Sequence, residues 1–146
     1  MLGWWSLVRF IHVVSAMVWV GGQLTISVMV LPVVRRLLSA QDRLPVLTGI
    51  GRRFGLFTAV AFLPLQVGTG ILLAWHKGVT FSSLADPGYG RTLAAKLVAF
   101  ALVMVAAGGH GYAMGTTRQA LARSLAIATL VGSLAILLLA TALPQS

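Results

Sequence analysis

Four long apolar segments follow one another along this chain, separated by shorter polar or basic stretches. They predict helices over about residues 4–31, 54–75, 91–114 and 121–143. A bilayer core about 30 Å thick is crossed by roughly 20 apolar residues in a helix, so each segment is long enough to span it. The pattern predicts an all-α fold, an integral membrane antiparallel four-helix transmembrane bundle that forms a single domain over residues 1–146.

Prolines set the expected ends and bends of these helices. Pro32 is predicted to end the first helix, Pro64 to kink the second, and Pro144 to end the fourth. The connection over residues 33–53 is predicted to be a solvated basic loop or an amphipathic segment in the membrane interface. Gly68-Thr69-Gly70 is interpreted as a helix-packing surface, because small residues let helices approach closely in lipid.

Composition supports a membrane protein. Hydrophobic residues make up 58% and charged residues 9% of the chain, whereas globular domains have about 25% charged residues. The net charge of +9 comes from cations that lie mostly between apolar segments, so anionic lipid headgroups, and not nucleic acid, are the expected partners. Cysteine is absent, which excludes disulfides and thiolate metal sites.

The distribution of basic residues predicts an orientation. The connections after the first and third helices lie on one side, and they hold Arg35, Arg36, Arg43, Arg52, Arg53, Arg118 and Arg123. The other side holds Arg9, Lys77, Arg91 and Lys96, with Asp86. By the positive-inside rule the first side is cytoplasmic, so both termini are expected outside a bacterial inner (plasma) membrane.

A polar stripe runs along the first helix. His12, Ser15, Trp19 and Gln23 share one face at helical spacing. Polar groups are costly against lipid, so this stripe is expected to face other helices. An ionisable residue inside a membrane helix is also a candidate functional residue.

Antiparallel topology is expected to bring His12, His76 and Lys96 to similar depth near the outer face, with His110 alone near the inner face. These three are the candidate metal ligands. In the first interpretation His12 binds haem b, with His76 or Lys96 as the second ligand. Trp19 would then line the macrocycle, and Arg91 or Arg9 would meet the propionates.

Two other interpretations stay open. Imidazole and thioether groups suit copper, and His12 could act with Met17, Met104 or Met114, although no tight cluster of such residues is evident. His12 could instead only hydrogen-bond a neighbouring helix, in a subunit that scaffolds a larger membrane complex.

Several motifs resemble a known family. The first helix, with His12, Trp19, Gly21 and Gly22 in HVVSAMVWVGG, resembles the opening of the copper-resistance D (CopD) membrane domain. Arg-Arg-Phe at residues 52–54, an apolar helix ending GTGILLAW, and YGRTLAAKL at residues 89–97 resemble its second half. The resemblance covers roughly residues 9–102 and implies a role in copper uptake or resistance.

The same first-helix pattern, with a lysine opening the third helix, also resembles the HemJ-type protoporphyrinogen oxidases. That resemblance implies haem b held by His12 and Lys96. The leading hypothesis is a small CopD-like haem protein with redox or electron-transfer chemistry at the outer leaflet. A haem-dependent membrane oxidoreductase is one form of this hypothesis. A redox partner, a homodimer or a larger membrane complex would be its partners.

Overall fold

The computed structural model describes residues 2–142, and nearly all of them are helical. Four long helices follow in order: α1 (Trp4–Leu37), α2 (Ala40–His76), α3 (Tyr89–Gly115) and α4 (Gln119–Ala142). A single 3₁₀ turn, Ser82–Ala85, lies in the connection before α3. Residues 2–142 contain no β-strand. The predicted fold class, an all-α four-helix transmembrane protein, is confirmed.

All four helices are long and apolar enough to cross a membrane. Large apolar side chains point away from the protein in the middle of these helices, as Val98, Leu102 and Val105 do on α3 with 60%, 65% and 73% of their surface exposed. Apolar surface on that scale would be unstable in water and is stable against acyl chains. The chain is an integral membrane protein, in contact with the lipid bilayer.

The chain divides into two compact units, one that extends to Leu73 and one that begins at Ala74. In the first unit α1 and α2 run antiparallel, and we call this pair the first hairpin. In the second unit α3 and α4 run antiparallel, and we call this pair the second hairpin. The connection between α3 and α4 spans only residues 116–118.

The prediction that the first helix ends at Pro32 is wrong, because α1 continues to Leu37. A π-helical turn over Ile26–Val30 precedes the proline, and the backbone N–H of Leu31 bonds to the carbonyl of Ile26, five residues back. In a regular α-helix the proline ring would meet the carbonyl four residues back. The wider turn relieves that clash, so the helix passes through the proline.

The same arrangement recurs in α2 at Pro64, where the sequence predicts a kink. A π-helical turn over Thr58–Phe62 precedes this proline, and the N–H of Leu63 bonds to the carbonyl of Thr58. Both helices of the first hairpin therefore widen by one π turn just before a proline.

The solvated loop predicted over residues 33–53 is also wrong, because these residues are almost all helical. The alternative, an amphipathic segment in the membrane interface, stays a prediction. Only Leu38 and Ser39 separate α1 from α2. Ser39 is the N-cap of α2, because its hydroxyl oxygen accepts the backbone N–H of Asp42 at 3.3 Å. The signature Ser-x-x-Asp was present in the sequence and marks the true start of the second helix.

Arg43 joins the two helix ends at this tip. Its Nη2 donates to the carbonyl of Arg35 at 2.6 Å, and its Nε donates to the carbonyl of Leu38 at 2.9 Å. These carbonyls belong to the last turn of α1, where a helix has no partners of its own. One side chain from α2 thus caps the end of α1 and makes a longer connection unnecessary.

The second hairpin follows its prediction more closely, with α3 beginning two residues earlier than expected and α4 beginning at Gln119. The predicted end of the fourth helix, at Leu143 and Pro144, lies outside the described residues. The two helices come close at Gly132, where a Cβ atom would lie 2.4 Å from Val103 Cγ2. This contact gives α4 a packing role within the second hairpin.

Candidate functional site

His12 lies at the centre of a polar cluster between α1 and α2, within the first hairpin. Its Nδ1 is 2.7 Å from Thr69 Oγ1, and its Nε2 is 3.1 Å from Gln66 Nε2. Both partners are on α2, so the polar stripe of the first helix faces another helix, as predicted. The imidazole is half-buried, and both ring nitrogens are engaged by side chains of the neighbouring helix.

Ser15 completes the cluster one turn further along α1. Its hydroxyl is 2.7 Å from Gln66 Oε1 and 2.9 Å from the carbonyl oxygen of His12. The amide of Gln66 is therefore held at both ends, by Ser15 through its oxygen and by His12 through its nitrogen. We call His12, Ser15, Gln66 and Thr69 the His12 cluster.

One tautomer of the imidazole satisfies the hydrogen bonds of the His12 cluster when the Ser15 hydrogen is directed at Gln66. Gln66 accepts from Ser15 through Oε1, so its amide nitrogen faces His12 and donates to Nε2. Thr69 donates its hydroxyl hydrogen to the carbonyl of Leu65, so its oxygen accepts from Nδ1–H. In this assignment the imidazole is neutral, with hydrogen on Nδ1 and a lone pair on Nε2.

Trp19 continues the same face two turns below His12. Its indole N–H donates to Thr58 Oγ1 at 2.9 Å, and its ring stacks on Phe62 with centroids 4.5 Å apart. Only 3% of its surface is exposed. Thr58 begins the π turn of α2, so this turn presents the hydroxyl that receives the indole.

Two glycines set the distance between the helices. A Cβ at Gly22 would lie 2.7 Å from Phe54 Cε2, and one at Gly70 would lie 3.4 Å from His12 Cε1. Gly70 therefore leaves space for the imidazole, and Gly22 leaves space for a ring of α2. The predicted packing role of Gly68-Thr69-Gly70 agrees with the position of Gly70, although nothing lies within 4 Å of a Cβ at Gly68.

Reasoning from the sequence missed Gln66, Thr69 and Thr58, which supply the partners of the stripe. The signal was available in the second apolar segment. Thr58, Gln66 and Thr69 fall at spacings of eight and three residues, on one helical face. A second polar stripe of this kind predicts the face that meets the first one.

The other predicted site residues belong to the second unit. His76 is the last residue of α2 and is exposed, and Lys96 is half-buried on α3. Arg91 donates from Nε to the carbonyl of Ala85 at 3.2 Å, and so holds the preceding connection. Lys77 Nζ lies 4.9 Å from the centre of the Tyr89 ring, which is a cation–π contact.

His110 serves the second hairpin. Its Nδ1 is 2.8 Å from the carbonyl oxygen of Ala122 near the start of α4. Because a carbonyl only accepts, this nitrogen carries the hydrogen. The bond joins α3 to α4. This structural role accounts for the histidine at this position, and no ligand has to be invoked.

The fold and the His12 cluster define an all-α integral membrane protein with four candidate membrane-spanning helices and a buried histidine–amide–hydroxyl network. No protein-family model, no curated protein and no solved structure matches this chain. Within residues 2–142, no group of three or more His, Asp or Glu side chains could hold a metal ion. The His12 cluster is therefore the candidate site on which a function is argued.

Proposed function

We propose that this chain is a small b-type haem membrane protein in which His12 is an axial ligand, with redox or electron-transfer function. One observation carries the proposal. An imidazole lies within a candidate membrane-spanning helix, with Nδ1 2.7 Å from the Thr69 hydroxyl and Nε2 3.1 Å from the Gln66 amide nitrogen. Histidines that bind metals through one nitrogen almost always donate the other N–H to a neighbour, which fixes the ring.

The residues around His12 fit a haem ligand in part. Thr69 fulfils the role of the orienting acceptor, and Gly70 keeps the edge of the imidazole free of a side chain. The amide of Gln66 meets Nε2, so it would have to withdraw before a metal could bind there. A bound haem would supply one-electron chemistry, with its potential set by its axial ligands and their hydrogen bonds.

The remaining contacts to haem are proposed from residue type and predicted depth. Lys96 or His76 would be the second axial ligand, and Arg91 would meet a propionate. Trp19 would lie beside the macrocycle. The resemblance to the HemJ-type proteins supports His12 and Lys96 as the two haem ligands.

The environment of the protein is proposed from its charge distribution. We place both termini outside a bacterial plasma membrane, with the arginine-rich tip of the first hairpin in the cytoplasm. The tip holds Arg35, Arg36 and Arg43 within seven residues of the Leu38–Ser39 connection, which fits the positive-inside rule. A redox partner, and either a homodimer or a larger complex, would complete the functional unit.

A second candidate function is favoured by the same cluster. Both nitrogens of His12 are in hydrogen-bond contact with side chains of α2, so the histidine could serve only to hold the hairpin in a scaffold subunit. A copper transport or resistance module is the other alternative, and it is supported by the resemblance to CopD and by the affinity of imidazole for copper.

An absorption spectrum of the detergent-purified protein, oxidised and then reduced with dithionite, tests the proposal. We expect a Soret band and sharp α and β bands on reduction, lost in His12→Leu and retained in the control His110→Leu. Variants of Lys96 and His76 then identify the second ligand. A colourless protein from cells supplied with iron and haem precursor would contradict the haem function. Copper analysis and a search for copurifying subunits would then separate the two alternatives.

A further inference from the structure

An open cavity lies in the connection between α2 and α3, within the second unit of the chain. Its volume is about 560 Å³, which is in the range of small-ligand sites. Its walls combine the apolar residues Val79 and Pro87 with the charged residues Lys77 and Asp86. A cavity that carries both an ammonium and a carboxylate is complementary to a ligand that carries both charges.

Hydrogen bonds hold the connection that forms this cavity. The Ser83 hydroxyl donates to the carbonyl of Thr80 at 2.8 Å and accepts the backbone N–H of Thr80 at 2.9 Å. The N–H of Asp86 donates to the carbonyl of Ser83 at 3.1 Å, and the carbonyl of Asp86 accepts the N–H of Arg91 at 3.0 Å. A Cβ atom at Gly90 would collide with the Ser83 carbonyl, so glycine lets the connection pack against the start of α3.

The two charged residues of the cavity are positioned by different contacts. Lys77 Nζ lies 4.9 Å from the centre of the Tyr89 ring, which keeps the ammonium near the start of α3. Asp86 is positioned through its backbone bonds to the connection and to α3. Both side chains are exposed, so a ligand can reach them from outside the protein. An ammonium binds a phosphate oxygen, and a carboxylate accepts hydrogen bonds from a ligand ammonium.

The cavity lies at a membrane surface, because the connection joins the end of one candidate span to the start of the next. Two large aromatic side chains are exposed here. Trp75 in the last turn of α2 has 74% of its surface exposed, and Phe81 in the connection has 95%. Aromatic residues such as Trp75 are enriched at the headgroup level of a bilayer. The zwitterions present at this depth are phospholipid headgroups.

We propose that this cavity binds the headgroup of a phosphatidylethanolamine, with the phosphate at Lys77 and the primary ammonium at Asp86. A primary ammonium has three N–H donors for a carboxylate, whereas the quaternary ammonium of choline has none and is recognised by aromatic cages. The anionic headgroup of phosphatidylglycerol would meet Lys77 but brings no cation to Asp86. This lipid site does not depend on the proposed haem function.

A series of methylated lipids tests the contact between the ammonium and Asp86. Dioctanoyl phosphatidylethanolamine and its mono-, di- and trimethylated forms, the last being phosphatidylcholine, are titrated into the purified protein in detergent. Bound lipid is measured by native mass spectrometry. Each methyl group removes one N–H donor, so the affinity should fall along the series by roughly two- to fivefold in all, the range of an exposed ion pair. Equal affinity across the series would overturn the proposal.

Two substitutions then separate the two ends of the headgroup. Asp86→Asn should abolish the preference for phosphatidylethanolamine over phosphatidylcholine and leave phosphatidylglycerol binding undiminished. Lys77→Gln should weaken all of these lipids by about fivefold, because each carries a phosphate. Asp42→Asn and Arg118→Gln are the matched controls, since they remove one charge of each sign at other connections, and they should change neither affinity nor preference. An unchanged preference in Asp86→Asn would show that the proposal is wrong.

The same headgroup without acyl chains shows where the ligand comes from. Glycerophosphoethanolamine should bind at least roughly tenfold more weakly than the lipid, because acyl chains in the micelle keep the lipid headgroup at high effective concentration. Equal affinity would mean a water-soluble ligand and would overturn the lipid assignment. Circular dichroism checks that each variant is helical. The methylated series on the wild-type protein decides the proposal even if a variant fails to fold.

Discussion

The two hairpins pair their helices in different ways. In the first hairpin the contacts between α1 and α2 are polar and aromatic, with His12 bonded to Thr69 and Gln66, and Trp19 bonded to Thr58. In the second hairpin the helices are held by close approach, as at Gly132 and Val103. There the hydroxyls of Thr129 and Ser133 donate to carbonyls of their own helix.

This difference shows two solutions to one problem. Lipid is as apolar as leucine, so helices in a membrane gain little from burying apolar side chains against each other. They associate through close packing, which small residues permit, or through hydrogen bonds between side chains. The second hairpin combines close packing with a bond from His110 to the carbonyl of Ala122. The first hairpin combines close packing with several bonds between side chains, collected around His12.

The largest effect is expected from closing the approach in the second hairpin. Gly132→Ala places a Cβ 2.4 Å from Val103 Cγ2, and overpacking of this kind costs about 1–3 kcal/mol of the free energy of unfolding. The measurement is denaturant unfolding in mild detergent, followed by circular dichroism.

Val103→Ala in the same chain should restore most of that stability. Gly111→Ala is the control, because no heavy atom lies within 4 Å of its Cβ position, and it should be neutral or slightly stabilising. A Gly132→Ala protein as stable as the wild type would show that the second hairpin is not held by close packing.

A smaller effect is expected from one pair of matched threonines. Thr58→Val leaves the indole N–H of Trp19 without its acceptor and should cost about 1 kcal/mol of the free energy of unfolding. Thr129→Val removes only a bond to the carbonyl of Leu125 within α4 and should cost less than about 0.5 kcal/mol. Equal losses in the same unfolding assay would remove the distinction between the two hairpins.

The smallest effect is expected at His110. Its single bond to the Ala122 carbonyl crosses the second hairpin, and intramembrane side-chain bonds average about 0.6 kcal/mol. His110→Leu should lose about that much stability, and His12→Leu should lose more because it breaks two bonds to α2. If His110→Leu loses more stability than His12→Leu, the bonds of His12 do not stabilise the first hairpin more than the bond of His110 stabilises the second.

The fold class follows from the sequence because few structures can cross a bilayer. A long segment with no partner for its backbone must be helical, so four apolar segments predict four spanning helices. The residues at which the helices begin and end were harder to predict. Pro32 alone indicates a stop, and the π turn that lets α1 pass it depends on which carbonyl each N–H reaches. The start of α2, by contrast, could have been predicted, because Ser39 and Asp42 form a Ser-x-x-Asp capping signature that is visible in the sequence.

The candidate site was half predictable for a related reason. His12 was identified because periodicity alone places it on a polar face, and an ionisable group at that depth is rare. Its partners Gln66 and Thr69 depend on how α1 aligns with α2, which no single helix specifies. The contact between Gln66 and His12 is therefore known only from the structure.

The structure at the tip of the first hairpin affects which of its arginines trypsin can reach. Three arginines lie close to the Leu38–Ser39 connection, but Arg35 and Arg36 are helical and Arg43 is bonded to the end of α1. Proteases cleave exposed loops and not helices, so this arginine-rich end is a poor substrate for trypsin. Lys77 begins a much longer connection and is followed by Gly78 with a positive φ of 68°. Cleavage by trypsin between Lys77 and Gly78 would therefore report on which side of the membrane the connection between α2 and α3 lies.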